Sequence, residues 1–157
     1  MNRLGFVATA VVVCALSGCA LGMAEPAAAQ AGNPAVAANA GLATNLTGGA
    51  VVPGPADPDG SGMARITFVA GEQNVCYELA VRNIQTATMA HIHPGTATEV
   101  GGPPLVVLGT PTTGESRGCV TAPQRLVDAI RANPSNFFVT VHNAEFPGGA
   151  VRGQFGG

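Results

Sequence analysis

Two stretches of alternating residues, ARITF at residues 64–68 and VCYELAVR at residues 75–82, decide the fold class of this 157-residue chain. In each stretch an apolar residue stands at every second position, with charged or small residues between. Successive side chains of a β-strand point to opposite faces of the sheet. The alternation therefore predicts two strands, each with one buried and one polar face.

The same pattern recurs along the rest of the chain, between turns rich in Gly and Pro. Ala90 and Ile92 alternate with Met89, His91 and His93, and residues 137–142 alternate in the same way. Residues 105–108 predict a short buried strand, and residues 151–155 predict a strand that closes the sheet. Several short strands separated by turns favour an all-β sandwich or barrel.

One segment has the period of a helix instead. Leu126, Ala129 and Ile130 form an apolar stripe at i, i+3 and i+4. Residues 121–123 precede the stripe and bring a Pro to the first turn, where Pro is tolerated. Asn133-Pro134 follows the stripe and predicts its end. We therefore expect one short helix, inserted before the last strands.

The composition excludes one large class of function. Charged residues make up 10% of the chain, against about 25% in an average soluble protein. The net charge is -2, and the basic residues form no cluster. Nucleic-acid binding needs a cationic patch that neutralises phosphates, so we expect no nucleic-acid partner.

The N-terminus predicts export. Residues 1–18 join a short positive start to an apolar run that is too short to span a bilayer comfortably. At the end of this run, the sequence Leu16-Ser17-Gly18-Cys19 resembles the bacterial lipobox. The resemblance implies that Cys19 is lipidated, with palmitate among its acyl chains, and that it anchors the protein to the outer face of the membrane. The alternative is an ordinary signal peptide cut after Ala29-Gln30-Ala31, which gives a secreted soluble protein. Residues 19–41 are rich in Ala, Pro and Gly, and we interpret them as a flexible tether to a domain at residues 42–157.

Two cysteines lie within the predicted domain. Cys76 and Cys119 each stand on the polar side of a strand pattern. Because exported proteins meet oxidising conditions, we predict a disulfide between them. Free thiols that bind a metal or act as a nucleophile are the alternative, although neither a CxxC spacing nor an adjacent base supports it.

The domain also resembles a known family along almost its whole length. Leu46-Thr47-Gly48, Ala90-His91-Ile92-His93, residues 102–107 and residues 139–143 are similar, in order, to the motifs of the chordin-type CHRD domain. Arg152-Gly153-Gln154 is similar to its final motif, in which the roles of Arg152 and Gln154 are undefined. The resemblance implies an immunoglobulin-like antiparallel β-sandwich of a secreted or surface protein. In animal chordins such domains accompany growth-factor-binding modules.

The three histidines of the chain all lie in these motifs. His91 and His93 share a strand face, and His142 lies on the polar side of another strand. Three convergent imidazoles would suit Cu²⁺ or Zn²⁺ and leave a coordination position open. The alternative is that these side chains only make structural hydrogen bonds. His-x-His also resembles the copper strand of Cu/Zn superoxide dismutases, but three histidines are too few for that site, so dismutase activity is not expected.

The sequence leaves two functions open. The first is a non-enzymatic module, anchored in the cell envelope, that binds an envelope or extracellular partner. The second is an envelope metal-binding protein that uses His91, His93 and His142. No nucleophile elbow surrounds the serines, and no phosphate-binding loop precedes a helix, so we expect no enzyme. For Arg152 we expect a strand-end ion pair, with Glu145 as the partner nearest in sequence, or an exposed side chain.

Overall fold

The computed structural model describes residues 41–69 and 71–156. Eight antiparallel strands, one α-helix and two short 3-10 turns form this part of the chain. In chain order they are β1 (Leu42–Thr47), a 3-10 turn (Gly48–Ala50), β2 (Ser61–Phe68), β3 (Asn74–Arg82), β4 (Ala87–Pro94), β5 (Val106–Leu108), β6 (Glu115–Thr121), α1 (Gln124–Ala132), a second 3-10 turn (Pro134–Asn136), β7 (Phe137–Asn143) and β8 (Val151–Gln154). The all-β prediction with one short helix is confirmed.

The strands form one sheet with the order β5-β4-β7-β8-β1-β2-β3-β6. β1, β2, β3 and β6 make one half, and β5, β4, β7 and β8 make the other. A single residue pair between neighbouring strands, Thr47 with Arg152, links the halves through β1 and β8. The alternating residues of β2 and β3 face each other directly, with Ile66 opposite Tyr77 and Ala64 opposite Leu79.

The immunoglobulin-like sandwich is not confirmed, because a sandwich has two separate sheets and these halves are continuous. The two end strands also approach each other. Ser116 of β6 donates a hydrogen bond of 2.7 Å to the carbonyl oxygen of Gly109, which directly follows β5. The sheet is therefore nearly closed, like a barrel.

The apolar core fills the inside of this curved sheet. Its largest fully buried side chains come from six strands, from α1 and from the segment after β8: Leu46, Ile66, Phe68, Val75, Ile92, Val127, Ile130, Val139, Val141, Val151 and Phe155. The predicted helix exists, but its buried stripe consists of Val127 and Ile130, while Leu126 and Ala129 are only partly buried. All three predicted stripe residues face the core, and the prediction missed Val127.

The strand β5 also differs from its prediction. Residues 105–108 were expected to be a buried run, but Val106 and Leu108 alone are buried, while Val107 is 66% exposed and Leu105 is 40% exposed. β5 lies at the edge of the sheet and pairs only with β4 among the described strands. Its outer face, which carries Val107, meets solvent.

Cys76 and Cys119 form a disulfide between β3 and the edge strand β6. They are directly opposite each other in the strand register, on the outer face of the sheet, as the alternation of β3 predicts. The bond therefore ties the end strand of one half to its neighbour.

Within residues 41–69 and 71–156, no helix has the length and hydrophobicity to cross a membrane. The predicted signal peptide, the lipidated Cys19 and the tether up to residue 40 lie outside the described residues. These assignments stay predictions.

Candidate metal centre

The three histidines come together on the outer face of two neighbouring strands. β4 and β7 pair antiparallel, with His91 opposite Thr140, Met89 opposite His142, and His93 opposite Phe138. His91 and His93 are two residues apart on β4, so both side chains leave the sheet on the face where His142 lies. One ring nitrogen from each histidine falls within 4.8 Å of the other two. The convergence that the sequence pattern suggested is thus present in the fold.

His93 uses one ring nitrogen and leaves the other without a partner. Its Nδ1 lies 3.0 Å from the carbonyl oxygen of Gly102. A carbonyl only accepts hydrogen bonds, so Nδ1 carries the proton and Nε2 of the neutral ring carries a lone pair. This Nε2 atom is buried, and it has no hydrogen-bond partner among the described residues.

His142 is oriented in the same way. Its Nδ1 donates to the carbonyl oxygen of Pro147 over 2.9 Å, which leaves Nε2 as an acceptor. Nδ1 of His91 lies 3.3 Å from that Nε2 atom. With His142 fixed in this tautomer, His91 donates through Nδ1 in the absence of a bound ion.

The environment favours neutral imidazoles. Burial lowers the pKa of His91 below its ordinary value, and repulsion from protonated His142 and His93 lowers it further. Burial also lowers the pKa of His142, while its hydrogen bond to Pro147 partly opposes that shift. Neutral imidazole is the form that binds a metal ion, so the lowered pKa values of His91 and His142 favour metal binding.

The residues fit a transition metal. Zn²⁺ and Cu²⁺ both accept imidazole nitrogens, and Zn–N bonds of about 2.0–2.1 Å place tetrahedral ligand atoms roughly 3.4 Å apart. The distance between His91 Nδ1 and His142 Nε2 is already 3.3 Å. All three ligand atoms lie within 4.8 Å of one another, somewhat wider than in a tetrahedral site. The carbonyl bonds of His93 and His142 supply the outer contacts that orient metal-binding histidines.

A stack of three side chains supports His93. Its ring lies parallel to that of Phe138, with an interplanar angle of 9° and centroids 5.3 Å apart. The guanidinium carbon of Arg152 lies 3.5 Å from the Phe138 centroid. Since β7 lies between β4 and β8 in the sheet, Phe138 separates His93 from Arg152.

Arg152 and Gln154 hold the loop that follows β4. Arg152 donates to the carbonyl oxygens of Glu99 (2.7 Å) and Thr96 (2.6 Å). Gln154 donates to the carbonyl oxygens of Gly95, Ser135 and Phe137. The same loop carries Gly102, whose carbonyl orients His93. The two motif residues thus support the histidine cluster through backbone contacts.

The expected role of Arg152 was wrong. Its side chain is 2% exposed, and Glu145 instead accepts a hydrogen bond from Gln85. Sequence proximity gave the wrong partner because β8 places Arg152 beneath the 95–101 loop, where carbonyl oxygens satisfy its donors. Burial lowers the pKa of Arg152, and the nearby Glu99 carboxylate opposes that shift.

Phe138 and the loop glycines were missed as parts of the site. The alternation placed Phe138 on the polar side of β7, and a large aromatic residue at such a position is the signal that the outer face is covered. Gly101 has φ +83, and a Cβ atom there would lie 2.6 Å from the Phe138 ring. The loop therefore needs glycine where it lies against this ring.

The fold and the site define a small all-β domain with a three-histidine cluster on two adjacent strands. The CHRD domain family matches residues 42–155, which is more than half of the chain. The protein belongs to the CHRD domain family. No curated protein and no solved structure matches the chain.

Proposed function

We propose that this protein is a non-enzymatic, exported binding module whose ligand is a transition metal ion, copper or zinc, held by His91, His93 and His142. The observation that supports it most is the buried Nε2 atom of His93, which lies beside two other imidazoles and has no hydrogen-bond partner in the part of the chain that the structure describes. A buried acceptor without a donor destabilises the fold by about 1–3 kcal/mol. A metal ion satisfies that lone pair.

Metal binding also explains the arrangement of the other two rings. His142 presents its Nε2 lone pair, and His91 faces it with Nδ1. A bound ion would replace this N–H···N hydrogen bond, with His91 binding through Nδ1 in the tautomer that is protonated at Nε2. A purely structural role would be fulfilled by the hydrogen bonds to Gly102 and Pro147 and would leave His93 Nε2 unexplained.

The test is a titration of the full chain, carrying a tag without histidine, with Cu²⁺ and with Zn²⁺ by calorimetry. We expect one ion per chain, and we expect each of the variants His91→Gln, His93→Gln and His142→Gln to bind more weakly. Arg65→Gln, on the exposed outer face of β2, is the matched control and should bind like wild type. If all three histidine variants bind copper as wild type does, the proposal is wrong.

A second candidate function is docking of an envelope or extracellular protein. Exposed apolar side chains flank the histidine cluster: Val107 opposite His91 is 66% exposed, and Met89 opposite His142 is 44% exposed. Exposed apolar groups of this kind occur at interaction sites. Crosslinking in intact cells tests it: a partner lost from the double variant Val107→Ser/Met89→Ser, with unchanged metal binding, would favour docking.

We further propose that Cys19 anchors the domain outside the cytoplasmic membrane. This follows from the lipobox-like Leu16-Ser17-Gly18-Cys19, and the disulfide fits an oxidising compartment. In such a position the histidine cluster would meet metal ions at the cell surface.

A further inference from the structure

We propose that the metal ion takes a small anion as its fourth ligand, in a cavity beside His93 and His142. This inference rests on the proposed function and specifies the class of ligand that the site accepts. Three histidines leave one position of a tetrahedral ion free. Where that position faces decides what can bind there.

The cavity lies next to two of the three donors. His93, His142, Phe138 and Thr140 line it from β4 and β7, and Arg152 lines it from β8. Its remaining walls come from Val51, Val52, Val100 and Gly148 in the loops that cover the outer face. A ligand that completes the coordination of an ion between the histidines would occupy this space.

The cavity is small. Its volume is about 40 Å³. On the same measure one water needs about 10–15 Å³, so the cavity holds a ligand of two or three non-hydrogen atoms. Water, hydroxide, azide or a diatomic molecule fits, whereas a five-membered ring does not.

The charge at the cavity favours an anion among these small ligands. Three neutral imidazoles leave the two positive charges of the ion uncompensated. Arg152 adds a further positive charge at the wall, which the nearby Glu99 carboxylate offsets only in part, and its side chain is 2% exposed, so solvent screens it poorly. An anion bound to the ion relieves the repulsion between the two cationic groups.

Solvent reaches the cavity between the covering loops. Val100 is 64% exposed, Gly148 is exposed and Val52 is half-buried, so part of the lining reaches the surface. Val51, Val52 and Val100 give this part of the lining apolar side chains. A small ion therefore enters, while a bulky ligand meets side chains that pack on the β-sheet.

Azide is the probe, because it is a linear three-atom anion that gives a charge-transfer band with Cu²⁺. The full chain is loaded with one equivalent of Cu²⁺ and titrated with azide, and separately with imidazole, by absorption and electron paramagnetic resonance. We expect a band that saturates at one azide per copper. We expect imidazole to leave the copper spectrum unchanged until it removes the copper.

Val52→Phe, which fills the rim of the cavity, should weaken azide binding about tenfold or more while copper affinity stays near wild type. Val52→Ala is the matched control and should keep azide binding. A copper-loaded protein that gives no azide band, or that binds imidazole as readily as azide, overturns this inference and leaves the proposed function intact. A protein that binds no copper overturns both.

Discussion

At the scale of single residues, His93 uses its two ring nitrogens differently. Nδ1 donates to the Gly102 carbonyl, and Nε2 is buried with no partner within residues 41–69 and 71–156. The variant His93→Phe keeps a ring that can stack on Phe138 and removes both nitrogens. We expect the metal-free domain to lose no more than about 1 kcal/mol of its unfolding free energy, because one hydrogen bond and one unsatisfied atom disappear together.

The same variant should lose the stabilisation that metal binding gives. Thermal unfolding with and without one equivalent of Zn²⁺ measures both effects. The unfolding temperature of wild type should rise when metal is added, because a ligand that binds only the folded state stabilises that state. An equal shift in His93→Phe would show that the ion binds elsewhere.

The lowered pKa values of His91 and His142 predict how the stability of the metal-free domain depends on pH. The unfolded chain protonates these two side chains near pH 6.5, whereas the folded domain protonates them at lower pH. As pH falls below about 7, the unfolded state therefore binds more protons and the unfolding free energy decreases. Urea unfolding between pH 7.5 and 5 should show this loss. His91→Gln should lose less unfolding free energy over this pH range. The same pH dependence in wild type and His91→Gln would contradict the assignment of this loss to His91.

At the scale of elements, the loop between β4 and β5 depends on the final strand. Arg152→Met removes the two hydrogen bonds to the Thr96 and Glu99 carbonyls and keeps an apolar side chain on Phe138. We expect a loss of about 1–3 kcal/mol in unfolding free energy, and roughly 10-fold weaker metal binding. The weaker binding follows because the same loop carries Gly102.

Chemical unfolding and a metal titration of the same variant measure the two effects. Arg82→Met, on the exposed face at the end of β3, is the control and should change neither. Full metal affinity in a destabilised Arg152→Met would mean that the loop does not orient His93.

The disulfide acts on the opposite half of the sheet. Cys76 and Cys119 are 43 residues apart, so the bond stabilises the fold by about 4 kcal/mol on the chain-entropy model. The double variant Cys76→Ala/Cys119→Ala should lose about this amount, and hydrogen exchange should be fastest in the edge strand β6. Metal affinity of the folded protein should not change, because the histidines lie on β4 and β7. A loss of metal binding with the fold intact would contradict the separation of the two sites.

The strands could be predicted from the sequence because alternation reports burial on one face directly. Alternation did not predict burial correctly where another part of the chain covers the second face of a strand. β7 is buried on both faces, although its sequence pattern placed one face among the polar ones. The prediction also failed at β5, where an apolar run lies at an exposed edge. The His91–His93 pair could be predicted from its spacing, but the Gly102 and Pro147 carbonyls that orient His93 and His142 could not. Backbone acceptors leave no trace in residue identity.

At the scale of the whole molecule, the two halves of the sheet meet at the pair of Thr47 and Arg152. Because this pair joins the two halves into one sheet, the fold is a nearly closed sheet and not a sandwich of two sheets. No pattern of residues in the sequence predicts the pair. Arg152 thus belongs both to the connection between the halves and to the support of the metal centre.

The anchoring of the molecule gives a separate prediction. Cys19→Ser should release the protein from the membrane fraction, because stable anchoring takes more than one acyl chain and serine forms no thioether. Cell fractionation and mass spectrometry of the N-terminal peptide check this. A wild-type protein that begins after Ala31 and carries no lipid would contradict the anchor and support secretion.

The most direct test of the metal site is native mass spectrometry of the full chain after incubation with equimolar Cu²⁺ or Zn²⁺ and removal of loosely bound ions. We expect a mass increment of one metal ion per chain in wild type, and none in His93→Phe. An unchanged wild-type mass, or the same increment in both proteins, would contradict the proposal that His91, His93 and His142 form a metal site.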